Sequence, residues 1–198
     1  VKLHILPCIN YLFDKDFTNS EITDIEKEIK DSFSPIILEG DILHIHNLNL
    51  GKNPVFTKVF FDYFNSGFKL INHAHDFAED RPVNQKYMEK IFKQYFNLPL
   101  FETIYPKSEN YIVGVLNRVD YNRVANIGIA QDNLHMLPNP VFIPEKVSLI
   151  KEEARKSLCD KLKLDSAKKI LTYPVRVIRR KNIGELILLA ELFKNECQ

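Results

Sequence analysis

The feature that most constrains this chain is a regular alternation of strand-like and helix-like segments. Four short apolar runs lie in its first 140 residues, and polar side chains follow them: 41–47, 68–73, 111–116 and 133–137. Segments with helical periodicity separate successive runs. An order in which strands and helices alternate predicts an α/β domain with a mainly parallel sheet and flanking helices, that is, a Rossmann-like fold.

The helical segments carry recognisable boundary residues. Asn19 and Ser20 are suited to cap a first helix. Asn53 followed by Pro54 predicts the start of a second, with Gly67 just past its end. Helices are also expected over 83–96 and 120–127, with a loop over 97–110.

Polar side chains at the ends of the predicted strands define the expected binding edge. In open α/β sheets, ligands bind outside the carboxyl ends of the strands. We therefore expect one edge of the sheet to gather His46, Asn47, Asn49, His73, His75, Asp76, Glu79, Asp80 and Asn117.

A proline-rich segment divides the chain. Three prolines between residues 138 and 144 stiffen the backbone and exclude a helix there. We predict a first domain over 1–144 and the beginning of a second over 145–198. The latter is expected to contain a helix over 145–162, a strand over 170–175 and a helix over 183–193.

A cationic cluster lies between that last strand and the last helix. It consists of Arg176, Arg179, Arg180 and Lys181. A helix N-terminus already presents positive charge, so added cations favour an anion site, such as one for a phosphate. The alternative interpretation is a solvated basic turn.

Two His-x-His pairs are the sharpest polar clusters before the prolines. They are His44 with His46, and His73 with His75, and both members of a pair on a strand point to the same face. Three interpretations are open: a metal site, hydrogen bonding to a hydroxylic substrate, or structural histidines. We favour the structural interpretation for His44 and a functional one for His75.

The acidic loop after the second strand also has two interpretations. Glu79 and Asp80 either hold sugar hydroxyls or pair with Arg81.

Composition excludes several classes of function. The formal charge of the 198 residues is +1, which argues against a general nucleic-acid binder. No apolar run reaches the length of a membrane span, and the N-terminal residues lack a signal-peptide pattern. The three cysteines have no CxxC spacing and are predicted to be free thiols. A cytoplasmic location is therefore expected.

Several of these segments together resemble a known family. Residues 175–182 resemble the G-R-x-x-x-x-K-G segment of retaining GT-B glycosyltransferases of family 4, with Arg176 and Lys181 at its Arg and Lys. Residues 137–141 resemble the P-N-G-V turn that ends the family's N-terminal domain. Residues 41–46 resemble its D-[IV]-[IV]-H-x-H strand, and residues 73–76 resemble its strand-exit His segment.

The resemblance implies transfer of a hexose from a nucleotide-diphosphate sugar to a hydroxyl, with retention at the anomeric carbon. Arg176 and Lys181 would bind the donor diphosphate. His75 and Asp76 would be catalytic, and His46, Asn47 and Asn139 would contact substrate. It implies no cofactor and no fixed metal, and it leaves the acceptor open among sugars, glycerate-like compounds and lipid-linked compounds.

The resemblance also has departures. Val175 and Asn182 replace the family's two glycines, and Pro140 replaces the Gly of the turn. The family's Gly-rich loop and Glu-x7-Glu motif are absent from the sequence, so we expect a fragment holding most of the acceptor-side domain and the first strand and helix of the donor-side domain. A metal-dependent hydrolase using the His-x-His pairs and an inactive binding module are the alternatives.

Overall fold

The computed structural model describes residues 3–12, 15–143, 150–165, 170–178 and 181–196. Its contacts group the chain into two compact units, Val1–Val141 and Phe142–Gln198. The first unit contains α1 Asn19–Phe33, β1 Ile42–His46, α2 Pro54–Asn65, β2 Lys69–Ala74, α3 Pro82–Ile91, α4 Leu100–Ile104, β3 Tyr111–Val115, α5 Arg118–Ile127 and β4 Leu134–Met136. The second contains α6 Lys151–Leu162 and α7 Ile183–Glu196.

The four strands of the first unit form one parallel sheet in the order β1-β2-β3-β4. This confirms the predicted Rossmann-like α/β class. In the register of the sheet, His46 lies opposite His73, and Gly114 of β3 lies opposite both His73 and His135. Because the strands are parallel, their carboxyl ends meet at one edge, as expected.

One face of the sheet forms the hydrophobic core. Leu70 of β2 and Val113 of β3 are fully buried on that face, in one cluster with Phe60 of α2, Phe92 at the end of α3, and Val124 of α5. Alternate residues point to the opposite face. There, Ile42 is 60 % exposed and His44 is also exposed, so β1 has one apolar and one accessible side.

The caps of α2 confirm its predicted boundaries. Asn53 Oδ1 accepts a hydrogen bond from the backbone N–H of Phe56, and Pro54 is the first helical residue of α2. The prediction for α1 was wrong by one position. Thr18 is its N-cap and forms a reciprocal capping box with Glu21, which accounts for the start of the helix at Asn19.

Two predictions of local structure were wrong. The predicted loop 97–110 contains the short helix α4, whose buried Leu100 and Ile104 lie one turn apart. Five residues are too few to show helical periodicity in the sequence. The predicted strand 170–175 is absent, although the helix expected after it is present as α7. Within the described part of the chain, its backbone hydrogen bonding is local, from the N–H of Val175 to the carbonyl of Tyr173, and a strand needs a neighbouring strand as partner.

None of the helices among the described residues is both long enough and apolar enough to cross a membrane.

Four charged side chains connect α1 to α2. The Glu26 carboxylate accepts hydrogen bonds from Lys30 at 2.6 Å and Lys58 at 2.8 Å, and Asp62 lies 2.8 Å from Lys58 and 3.0 Å from Lys30. Burial alone would raise the pKa of Glu26, but the hydrogen bonds and charges of the two lysines outweigh it, so the pKa is lowered. The charged form of Glu26 therefore stabilises the helix pair.

Replacing Glu26 with Gln should lower the free energy of unfolding at pH 7 by about 1 kcal/mol, as expected for a networked ion pair. A lowered folded-state pKa gives stability that is present above the unfolded pKa of Glu, about 4.3, and lost as the pH falls through the folded pKa. Urea denaturation should therefore show a difference at pH 7 that shrinks in acid. Glu28→Gln, exposed on the same helix, is the control. A difference that does not change with pH would contradict this account.

Candidate functional site

The strand register brings four imidazole rings together at the carboxyl edge of the sheet. His46 of β1 lies opposite His73 of β2, with ring centroids 4.8 Å apart. His44 lies two residues earlier on the same face, 4.9 Å from His46 and 5.5 Å from His73. His75, just after β2, lies 5.0 Å from His46. The two His-x-His pairs of the sequence thus form one cluster.

A hydrogen bond and a left-handed turn fix His75 in place. Nδ1 of His46 and Nε2 of His75 are 2.8 Å apart. Asn47, the residue directly after β1, has a φ of 61°. Asn tolerates this left-handed conformation better than most residues do. Its side-chain oxygen accepts hydrogen bonds from the backbone N–H groups of His75 at 2.8 Å and Asp76 at 3.1 Å. The residue that follows β1 therefore fixes the backbone of the two residues that follow β2.

The pKa values of both histidines of this pair are lowered, which favours their neutral forms. Partial desolvation, followed by the neighbouring imidazoles of His73, His44 and His75, lowers the pKa of His46. Desolvation and His73 also lower the pKa of His75, against an opposing effect of the Asp76 carboxylate. Neutral imidazoles accept and donate hydrogen bonds, so they suit hydroxylic ligands or metal ions.

The acidic residues of the loop after β2 have specific partners. The Asp76 carboxylate lies 2.9 Å from the guanidinium of Arg81. Arg123 of α5 donates two hydrogen bonds to Asp80, at 2.8 and 2.6 Å. These hydrogen bonds are the main reason that the pKa of Asp80 is lowered. Of the two alternatives for this loop, pairing with Arg81 is seen in part: the ion pair of Arg81 is with Asp76, and its charge contributes to lowering the pKa of Asp80 after the larger effect of Arg123.

A buried network of hydrogen bonds connects β2 and β3 to the loop that follows β2. Asn72 donates to the Tyr111 hydroxyl at 3.0 Å, and Tyr111 donates to the backbone of α4. Asn49 lies between Asn72 and the Tyr105 hydroxyl, and Tyr105 donates to Glu79 at 2.8 Å. Burial raises the pKa of both tyrosines, so they remain protonated donors. This network fixes Glu79 within the loop.

Sequence reasoning missed the tyrosines and Asn72. Asn72 is fully buried between Leu70 and Ala74 on the core face of β2, and a polar residue at that position is the signal that could have pointed to a paired polar group. Its partner Tyr111 lies 39 residues along the chain, and no local pattern indicates such a separation.

None of the remaining predicted site residues is a member of the four-imidazole cluster. Asn117 caps α5 through its side chain, so its polar group is used structurally. Asn139 is exposed in an irregular segment after β4. Arg176 and Lys181 belong to the second unit, where Arg176 is exposed and Lys181 is half-buried. Arg179 and Arg180 lie outside the described residues.

Comparison with known proteins gives one informative similarity. The chain is 30% identical over 194 residues to the mannosylglucosyl-3-phosphoglycerate synthase of Petrotoga mobilis, an alignment that covers 94% of this chain. The chain spans only 37% of that relative's length. No family model matches the chain, and no solved structure matches it significantly.

Replacing Asn47 with Gly should loosen the exit of β2, since it keeps the left-handed turn and removes the shared acceptor. With two hydrogen bonds of about 1 kcal/mol each in play, amide exchange of His75 and Asp76 should accelerate about tenfold or more. Asn47→Asp keeps an acceptor oxygen, so the amides of His75 and Asp76 should exchange more slowly in it than in Asn47→Gly. Hydrogen exchange followed by mass spectrometry measures this.

Asn97→Gly is the matched control, because Asn97 is also left-handed but exposed and remote from the cluster. Equal protection of the two amides in Asn47→Gly and in the parent protein would show that Asn47 does not hold the loop.

Proposed function

We propose that this chain is part of a glycosyltransferase that moves a sugar from a nucleotide-diphosphate donor to a hydroxyl acceptor with retention. The observation that carries the proposal is the hydrogen-bonded His46–His75 pair, held by Asn47 at the carboxyl edge of a parallel sheet. Ligands bind at that edge in open α/β sheets. The similarity to a synthase whose named product contains two glycosyl groups supports a sugar-transfer reaction.

The proposed reaction exchanges one bond for another at the anomeric carbon. The bond to the diphosphate oxygen breaks, and the acceptor oxygen bonds to the same face of the sugar. The acceptor proton passes to the departing diphosphate. A front-face displacement of this kind needs no protein nucleophile, so the protein's contribution is positioning and electrostatic stabilisation.

His75 is the proposed catalytic residue that positions the reacting sugar. Its Nε2 is engaged by His46 and its backbone by Asn47, so its Nδ1 is the nitrogen left for a substrate hydroxyl. Asp76 would act beside it from the same loop, with Arg81 holding its carboxylate. His46, Asn47 and Asn139 are proposed substrate contacts.

Arg176 and Lys181 are the proposed ligands of the donor diphosphate. Two cations before α7 would neutralise the charge that develops on the leaving group. In this proposal, residues 1–144 belong to the acceptor-side domain of a GT-B enzyme of family 4, and residues 145–198 open its donor-side domain.

The relative suggests which acceptor to test first. Its name describes a product in which mannosyl and glucosyl groups are joined to 3-phosphoglycerate. We therefore propose an acceptor that combines a sugar or glycerate hydroxyl with an anionic group. Turnover by the natural protein carrying this sequence, assayed with GDP- and UDP-linked hexoses, would exclude the inactive binding module.

His75→Ala in that protein should lower kcat about 100-fold, the size of effect typical of losing one transition-state contact. The KM for the donor should change little, because Arg176 and Lys181 are the proposed contacts of its diphosphate. His135→Ala, on an exposed position of β4, is the control and should retain full activity. A kcat within about twofold of the parent would remove His75 from the catalytic machinery.

The double variant Arg176→Ala with Lys181→Ala should weaken donor binding by about 100-fold or more, since each hydrogen bond to a charged group contributes about 1.5–3 kcal/mol. Calorimetric titration with the nucleotide sugar measures this. Lys156→Ala with Lys161→Ala removes two exposed cations from α6 and should bind normally. Equal affinity in the two double variants would contradict the diphosphate assignment.

A further inference from the structure

Three of the four clustered histidines have the arrangement of a metal-binding site. We propose that His44, His46 and His73 bind a divalent transition-metal ion, with Zn²⁺ as the first candidate. The nitrogen atoms that these side chains offer all lie within 4.8 Å of one another. His44 and His46 come from one strand, and His73 is the direct cross-strand partner of His46.

The spacing is close to what a tetrahedral ion needs. Zn–N bonds of about 2.0–2.1 Å place ligand nitrogens about 3.4 Å apart. The rings therefore have to approach by little more than an ångström. His44 and His46 are exposed, so their rings have room to rotate towards the ion.

His73 supplies the strongest indication of a missing ligand. Its side chain is only 8 % exposed, and its Nε2 lies 2.8 Å from the carbonyl oxygen of Leu137. A carbonyl only accepts, so Nε2 carries the proton and Nδ1 presents a lone pair. That Nδ1 is buried and has no hydrogen-bond partner among the described residues. Metal-binding histidines typically donate their other ring N–H to a carbonyl or carboxylate.

His46 has the same type of support from its neighbour. If its Nδ1 donates to Nε2 of His75, its Nε2 keeps a lone pair for the ion. His44 makes no side-chain hydrogen bond within the described part of the chain, and its ring lies nearly parallel to those of His46 and His73. Each of the three residues therefore offers one nitrogen.

The donor set determines the class of ion. Three neutral imidazoles suit Zn²⁺, Cu²⁺ or Ni²⁺, whereas Mg²⁺ and Ca²⁺ require oxygen ligands. The nearby Asp76 carboxylate is paired with Arg81 and is not part of the set. Exposure of the face leaves a fourth position for water or a hydroxyl. This site departs from the metal-free expectation drawn from the family resemblance.

The test uses the natural protein stripped of metal with a chelator and dialysed. Calorimetric titration with Zn²⁺ should show a site that His44→Gln weakens about 100-fold or more, since losing even an outer-shell partner of a ligand costs about 10–100-fold. Titration with Co²⁺ should give the intense visible absorption of a tetrahedral nitrogen site, and this too should be lost. His44 is exposed, so thermal melting should confirm that the variant folds.

His135→Gln is the matched control, being an exposed strand histidine outside the triad. It should bind Zn²⁺ like the parent protein. Zn²⁺ affinity that is equal in His44→Gln and the parent, or lost equally in His135→Gln, would overturn the proposal. So would the absence of Zn²⁺ uptake by the parent protein. These readouts do not depend on glycosyl transfer.

Discussion

The in-register pairing of β1 with β2 is the constraint on which the site depends. It sets His46 beside His73 and lets Asn47 donate its backbone N–H to the carbonyl of His73. From that position the Asn47 side chain reaches the two amides after β2. A slip of one residue would move the histidines of β1 to the core face. The hydrophobic pattern of β1, with Leu43 buried, excludes that slip.

The sheet separates two chemical environments. Its core face is closed by α2, α3 and α5 through apolar contacts, and Asn72 on that face donates a hydrogen bond to the Tyr111 hydroxyl. Its other face carries imidazoles from adjacent strands. Burial of apolar side chains on the core face stabilises the fold. The side chains of the opposite face are therefore available to bind ligands.

Local chemistry made much of this predictable. Asn53-Pro54 specifies a helix start through its own side chain, and the two-residue period of a strand places His44 and His46 on one face whatever the rest of the fold does. The parallel order then follows from the alternation of elements. These features depend on neighbours within a few residues, so the sequence displays them directly.

Features that depend on distant partners were not predictable in this way. Arg123 contacts Asp80 from α5, far along the chain, so no residue near position 80 indicates that pair. Residues 170–175 show the reverse case, an apolar run with strand propensity that makes no strand. β-propensity describes fit to a neighbouring strand, and among the described residues this segment has only local backbone hydrogen bonds. The four-histidine cluster required both kinds of knowledge, because the pairs are local and their convergence comes from the register.

The two proposals share His46 and otherwise use different histidines of the cluster, His44 and His73 for the ion and His75 for the reacting sugar. His75 is not a member of the metal triad, since its Nε2 is turned towards His46. If Nε2 of His75 accepts a hydrogen bond from the Nδ1–H of His46, then Nε2 of His46 keeps its lone pair for an ion. A bound ion would in turn fix the ring of His46, and through it the orientation of His75. Under both proposals the metal would order the strand exits, and the reacting sugar would be contacted by His75 and Asp76, which follow β2.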